Sequence, residues 1–205
     1  PQSFVRSTAN GVLSASGRCR AFDGAADGIM LGEGCGGLLL RAAGSAVGGT
    51  APAPALASLL GTACLSSGRS AGLGVPSGPA QAACASTALR EASALQGEDA
   101  LQLALAECHG TGTALGDPIE LAGLASATAS AGCRPCGGQL LLGAIKPNVG
   151  HADGAAGLPG LAKLLRCCAG LGRGGPGAAL PPNLHLLRLN PHAAPHCAGL
   201  LPAAE

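Results

Sequence analysis

Two histidines sit where side-chain chemistry can be used. His109 lies in Glu107-Cys108-His109-Gly110-Thr111-Gly112-Thr113, and His151 closes Lys146-Pro147-Asn148-Val149-Gly150-His151. Each follows a short apolar run and precedes a segment of helical periodicity. That is the carboxyl end of a strand, where open α/β sheets hold their ligands. Imidazole titrates near neutral pH, so two of them facing one pocket can donate two N–H bonds to a developing oxyanion, or move a proton. Lys146 stands five residues before His151, and Glu120 eleven after His109. A lysine at a strand end close to a buried carboxylate would pair with it, and the pair would orient the histidines.

The segments around these groups carry strand and helix signals. Leu101–Ala106 predicts a strand. Asp117 predicts a helix N-cap, with Pro118 at the first helical position and Glu120 at the third. That helix runs through Leu121, Leu124 and Ala125 to about Ser130. Leu140–Ile145 predicts a short buried strand, then a loop to His151, then a helix from about Asp153 to Ala169 with Leu158, Leu161, Leu164 and Leu165 on its apolar face. Pro159 fits that helix only in its first turn or two. Upstream, Ala55–Ala63 predicts a strand, Ser66–Gly78 a turn-rich stretch, and Pro79–Gln96 an amphipathic helix through Ala82, Ala85, Leu89, Ala92 and Leu95. Residues 1–27 hold few long periodic segments, residues 42–54 and 131–138 read as loops, and the chain from Gly170 reads as coil. Strand and helix therefore alternate from residue 55, which argues for an α/β protein with a parallel or mixed sheet.

Composition excludes several classes. With 205 residues, no Trp or Tyr and two Phe, the chain must build its core from Leu, Ala and Val. Gly and Pro, at 35 and 15 residues, make up about a quarter of it. A formal net charge of +1 with scattered Lys and Arg gives no basic stripe for nucleic acid and no polybasic arm for a membrane. No run approaches the ~18 apolar residues of a spanning helix. Ten cysteines without framework spacing predict reduced thiols and a cytoplasmic protein. The chain opens at Pro1 and closes on Leu-Pro-Ala-Ala-Glu without a clear terminal element, and reads as part of something longer.

Other motifs carry less. Gly32-Glu33-Gly34-Cys35-Gly36-Gly37 has the letters G-x-G-x-x-G, but Leu38-Leu39-Leu40-Arg41 after it predicts a strand rather than a helix, and no acid stands about 20 residues on. Close strand pairing is the better reading of those glycines. Cys133-x-x-Cys136 is half a zinc site with no second pair, so no metal is expected. His185, His192 and His196 lie among prolines and predict surface loops.

The two histidine segments, His109-Gly110-Thr111-Gly112-Thr113 with Gly116-Asp117-Pro118-Ile119-Glu120, and Lys146-x-Asn148-Val149-Gly150-His151 with Ala155-Ala156-Gly157, resemble the histidine motifs of β-ketoacyl synthases. The match is closest to ketosynthase domains of modular type I polyketide synthases. Three further blocks agree in order: Gly17–Asp23 with Asp27-Gly28 and Gly32-Glu33-Gly34; Gly68–Leu73 with Pro76 and Gly78–Gln81; and Pro181–His185 with Asn190-Pro191-His192.

The resemblance implies a thiolase-type fold, present here as the end of the N-terminal half (1–41), an incomplete C-terminal half (42–192) and a terminal coil (193–205). It implies an acyltransferase that condenses an enzyme-bound acyl thioester with a malonyl-type extender in polyketide or fatty acid synthesis. The partner would be an acyl carrier protein bearing phosphopantetheine, no cofactor would bind directly, and the complete domain would be a homodimer. By the same resemblance His109 and His151 promote decarboxylation, Lys146 pairs with Glu120, and Thr111 and Thr113 hydrogen-bond the phosphopantetheine arm. Pairing and capping make competing demands on the Glu120 carboxylate.

The family's nucleophilic cysteine has no counterpart at its expected place. Gly61-Thr62-Ala63-Cys64-Leu65-Ser66-Ser67 resembles the nucleophile turn, but Cys64 follows the Gly32-Glu33-Gly34 block that the family's cysteine precedes. The turn-rich stretch behind it offers no helix to a nucleophile elbow. The nucleophile is therefore expected upstream of Pro1. Cys108 reads as an inward strand residue. Pro147 and Asp153-Gly154 depart from the family pattern and leave the helix start after His151 open. A non-catalytic ketosynthase-like dimer partner or chain-length scaffold is the alternative, and retention of both histidines, Lys146 and Glu120 speaks against it.

Overall fold

The computed structural model describes residues 2–42, 55–68, 72, 75–97, 101–171 and 180–202. Helix α1 (Gln2–Ala9) is followed by α2 (Gly78–Gln96), β1 (Gln102–Leu103), β2 (Leu105–Glu107), α3 (Gly116–Ser130), β3 (Arg134–Pro135) and β4 (Leu140–Gly143). The one-turn α4 (Lys146–Val149), α5 (Gly157–Leu171) and β5 (Leu200–Pro202) complete the order.

The central sheet has the order β2-β4-β5, parallel throughout, with Glu107 opposite Gly143 and Leu140 opposite Leu200. A second parallel pair joins β1 to β3. Because β2 and β4 are parallel neighbours, α3 is the crossover between them. On β4, Leu141 is half-buried on one face, while Leu140 and Leu142, two residues apart and so together on the other face, are both buried. With them pack Ala21, Phe22, Leu121, Ala144, Leu186, Ala193 and Leu200. Phe22, fully buried, is the large side chain that fills a core otherwise built from Leu and Ala.

The long helices form for local reasons. At α2, Ser77 Oγ accepts the Ala80 N–H, Pro79 occupies the first turn and Gly97 at φ 93° ends the helix. Pro159 lies in the first turn of α5, where its missing N–H costs nothing. Helix α2 packs along α3, and α5 against β2. Among the described residues no helix is long and apolar enough to cross a membrane, and all ten cysteines are unpaired thiols.

Several expectations need correction. Residues 131–138, read as a loop, contain the strand β3, because Arg134 and Pro135 find a parallel partner in β1. Ala55–Ala63 is extended coil, not a strand: it lies on α2, where the Thr62 N–H donates to Glu91 (3.0 Å), and none of the described strands pairs with it. Leu38–Arg41 also forms no strand, and Leu39 is 96% exposed, because none of the described strands reaches its backbone groups. Conversely, residues 200–202, read as coil, form the edge strand β5, where Pro202 is tolerated because an edge leaves one side of the ladder open. Residues 2–9, within the stretch read as holding few long periodic segments, form the short helix α1. Most of the expected loop, residues 43–54, and Arg69, Ser70, Ala71 and Leu73 lie outside the described residues.

Candidate active site

Strand β2 delivers His109. The Cys108 N–H donates to Gly143 O (2.7 Å), extending the ladder by one residue, and the chain then turns at Gly110 with φ 45°. A Cβ at Gly110 would sit 2.4 Å from Ala144 Cβ, so the turn requires glycine both for its backbone and for its contact. The Glu120 carboxylate holds the turn from α3, accepting the backbone N–H groups of His109 and, at 2.8 Å, Gly110. His109 is thereby fixed through its backbone, and its ring is left for other work.

His151 is held by the Asp27–Gly34 block. Its N–H donates to Met30 O (2.7 Å), and its carbonyl accepts the Gly32 N–H (2.9 Å). A Cβ on Gly32 would fall 2.1 Å from Val149 O. The glycines of Gly32-Glu33-Gly34 thus serve a close backbone approach, with a parallel bridge between Leu31 and His151.

The two imidazoles meet edge to face, with ring centroids 5.3 Å apart and planes at 89°. Lys146, 3% exposed, lies beside them. Its Nζ donates to the His109 carbonyl and reaches His109 Nδ1 (3.2 Å). An ammonium can only donate, so Nδ1 accepts and the ring proton resides on Nε2. At His151 the Asp153 N–H donates to Nδ1 (3.0 Å), which fixes the same tautomer. Both rings therefore carry their N–H on Nε2 when neutral.

Electrostatics keep them neutral. Burial, then the Lys146 charge, then His151 hold His109 down at about 4. Burial and Lys146 lower His151 as well, with Asp153 pulling the other way. Burial also lowers Lys146, against the attraction of Glu120, and raises Glu120 against the Gly110 and His109 N–H bonds.

The expected roles at the start of α3 are redistributed. Asp117 does not cap: the N-cap position is Leu115, without a side-chain bond, and Thr113 Oγ1 accepts the Gly116 N–H (3.2 Å) instead. Asp117, 1% exposed, is drawn inward to accept the N–H groups of Phe22 (2.7 Å) and Gly112 (3.2 Å), holding Phe22 at φ 64°. Pro118 is the third residue of α3 rather than the first. Lys146 and Glu120 make no direct ion pair within 4 Å; His109 stands between them, bound by Lys146 at its carbonyl and by Glu120 at its N–H. Thr111 and Thr113 bond each other (3.1 Å) beside Asp117. After His151, Asp153–Ala155 forms a 3₁₀ turn before α5, so the residues that depart from the motif still present an N–H to His151.

Cys64 is exposed on the coil that lies on α2, and the described residues directly behind it, 65–68, are not helical. The half-buried Cys108 packs against the core, and burial raises its thiol well above the usual range. Cys133 is half-buried and Cys136 exposed in a 3₁₀ turn. His192 is exposed, whereas His185 and His196 are half-buried, and His185 Nδ1 lies 3.4 Å from Arg18. Sequence reasoning misses the part played by Asn183. It is fully buried, accepts the Ala144 N–H (2.7 Å) and donates to Leu142 O (3.2 Å), closing the end of β4 ahead of Lys146.

Comparison with known proteins shows that the chain belongs to the β-ketoacyl synthase family. Residues 56–175 match the family model of the β-ketoacyl synthase C-terminal domain, and residues 1–46 that of the N-terminal domain. The similar proteins are polyketide synthases, and the chain is a ketosynthase segment of the type I kind, with a partial thiolase-like fold. It is 39% identical over 191 residues to a phenolphthiocerol/phthiocerol polyketide synthase of Mycobacterium tuberculosis, covering 93% of this chain and 11% of that protein. It is 37% identical over 185 residues to the highly reducing polyketide synthase VdtX of Byssochlamys spectabilis, covering 90% of this chain and 8% of that protein. Among solved structures, the oxazolomycin ketosynthase domain OzmH KS7 of Streptomyces albus aligns over all of this chain and 33% of its own, with a TM-score of 0.77 and 32% identity. A ketosynthase of the bacillaene synthase of Bacillus subtilis gives a TM-score of 0.76 at 27% identity, with 34% of its chain covered. The chain thus spans about a third of the solved ketosynthases and about a tenth of the curated synthases.

Proposed function

We propose that this segment is the two-histidine wall of a decarboxylative condensation site, working in the cytoplasm within a complete, homodimeric ketosynthase domain. The observation that supports this most is the matched pair of tautomers: each Nδ1 is occupied by a donor, so each ring offers Nε2–H. The substrate is a malonyl-type thioester on the phosphopantetheine of an acyl carrier protein. Loss of CO₂ breaks the bond to the carboxylate and leaves its electron pair on the α-carbon, as an enolate whose oxygen takes the two Nε2–H bonds. The α-carbon then attacks an acyl thioester on a cysteine outside residues 1–205, forming the new C–C bond and releasing the thiolate. Thr111 and Thr113, half-buried two and four residues past His109, are the hydroxyls we assign to the phosphopantetheine arm. The domain boundary is placed after residue 41.

The test is decarboxylation of malonyl-pantetheine by the complete domain, together with its acylation by an acyl thioester. The expected result is turnover that requires both histidines, and acylation that survives Cys64→Ser. Loss of acylation in Cys64→Ser would overturn the placement of the nucleophile. A complete domain that dimerises but turns over no malonyl thioester would favour the scaffold reading.

A further inference from the structure

Away from the histidines a second pair of charges is buried. Glu107, the last residue of β2, meets Lys163 of α5 with Oε2 and Nζ 2.8 Å apart, and the two side chains are 6% and 4% exposed. Neither group has a further hydrogen-bond partner among the described residues, so each charge depends on the other. Two glycines make room for them. A Cβ on Gly143, directly opposite Glu107 in the ladder, would lie 2.6 Å from Nζ and 2.8 Å from Oε2. A Cβ on Gly160 would lie 2.9 Å from Glu107 Cγ.

We propose that Glu107 and Lys163 are positioning residues that set the separation of His109 and His151; this rests on the proposed function. The placement supplies the reason. Glu107 is two residues before His109, Gly143 three before Lys146, and α5 begins six after His151. The slot between the end of β2, the end of β4 and the first turns of α5 is therefore the junction of the three segments that carry the site, and the ion pair fills it. A buried pair is a poor source of net stability, because apolar residues of similar volume often fold as well. It is directional, however: a salt bridge fixes the distance between strand end and helix, whereas an apolar contact lets them slide.

The test uses the complete ketosynthase domain with the double replacement Glu107→Leu and Lys163→Met, and separately with Gly160→Ala, which crowds Glu107 while keeping both charges. Three quantities are read: the unfolding midpoint, kcat and KM for malonyl-pantetheine decarboxylation, and the nuclear Overhauser effect between the His109 and His151 rings. In both variants the expected result is a folded protein with kcat lowered at least ~10-fold, the rate loss typical of disturbed supporting contacts, an unchanged KM, and a weakened ring-to-ring effect. Retention of kcat and of the ring contact in either folded variant would overturn the proposal. If the parent domain has no decarboxylase activity, the proposed function fails, while the ring contact still tests the positioning role.

Discussion

His109→Ala in the complete ketosynthase is expected to lower decarboxylation by about 10²–10³-fold, the usual cost of losing one donor to a developing oxyanion. The fold should be unaffected. The structural bonds of His109 run through its backbone: the N–H to Glu120 and the carbonyl to Lys146 both survive alanine. The loss therefore belongs in kcat, with KM for the carrier-bound substrate little changed. His151→Ala is expected to do the same, and the double variant to fall little further, because two donors to one oxygen act as a unit. The pH profile follows from the same geometry. Burial and Lys146 hold His109 down at about 4, so it stays neutral and competent as pH falls from 7 toward 5. The sign for stability is that of a depressed histidine: the contribution is full above the unfolded value of about 6.5 and is lost as pH falls toward 4.

The second large effect is expected at Lys146, a positioning residue acting through His109. Lys146→Met keeps the volume but removes the donor to His109 Nδ1 and to the His109 carbonyl. The tautomer is then free to exchange, and decarboxylation should drop by about 10–100-fold. The Lys146 charge that helps burial to depress His109 disappears too, so the midpoint of that imidazole should rise from about 4 while burial still holds it below the usual histidine value. Glu120, already raised by burial, loses the attraction of Lys146 and rises further. A purely structural role would change the unfolding midpoint and leave the His109 titration where it was. Lys146→Arg should not restore the wild-type rate, since a planar guanidinium cannot take the place of a compact ammonium in so buried a position.

How far the sequence can be read depends on where each residue finds its partners. Helix α2 is legible because Ser77, Pro79 and Gly97 punctuate it within its own segment. The histidine loops are legible for the same reason, since glycines and strand ends mark them locally. Asp117 looks like a cap because capping is local, but its carboxylate is taken by Phe22, 95 residues away. The motifs bring the Lys146 and Glu120 charges to one place, yet nothing local reveals that His109 stands between them. Strands are the least legible. Leu38–Leu40 and Ala55–Ala63 have strand-like composition but join none of the described strands, whereas Leu200–Pro202 is a strand only because β4 offers it an edge. A strand is a property of two segments, and one segment cannot announce it.

The central claim is that two neutral imidazoles, each protonated on Nε2, share one site. Long-range ¹⁵N–¹H correlation spectra of the complete ketosynthase with labelled histidine measure this directly. At pH 7 both His109 and His151 should show the Nε2–H tautomer, and His109 should remain unprotonated until pH nears about 4. An Nδ1–H tautomer at either residue, or an imidazolium at position 109 at pH 7, would contradict the account.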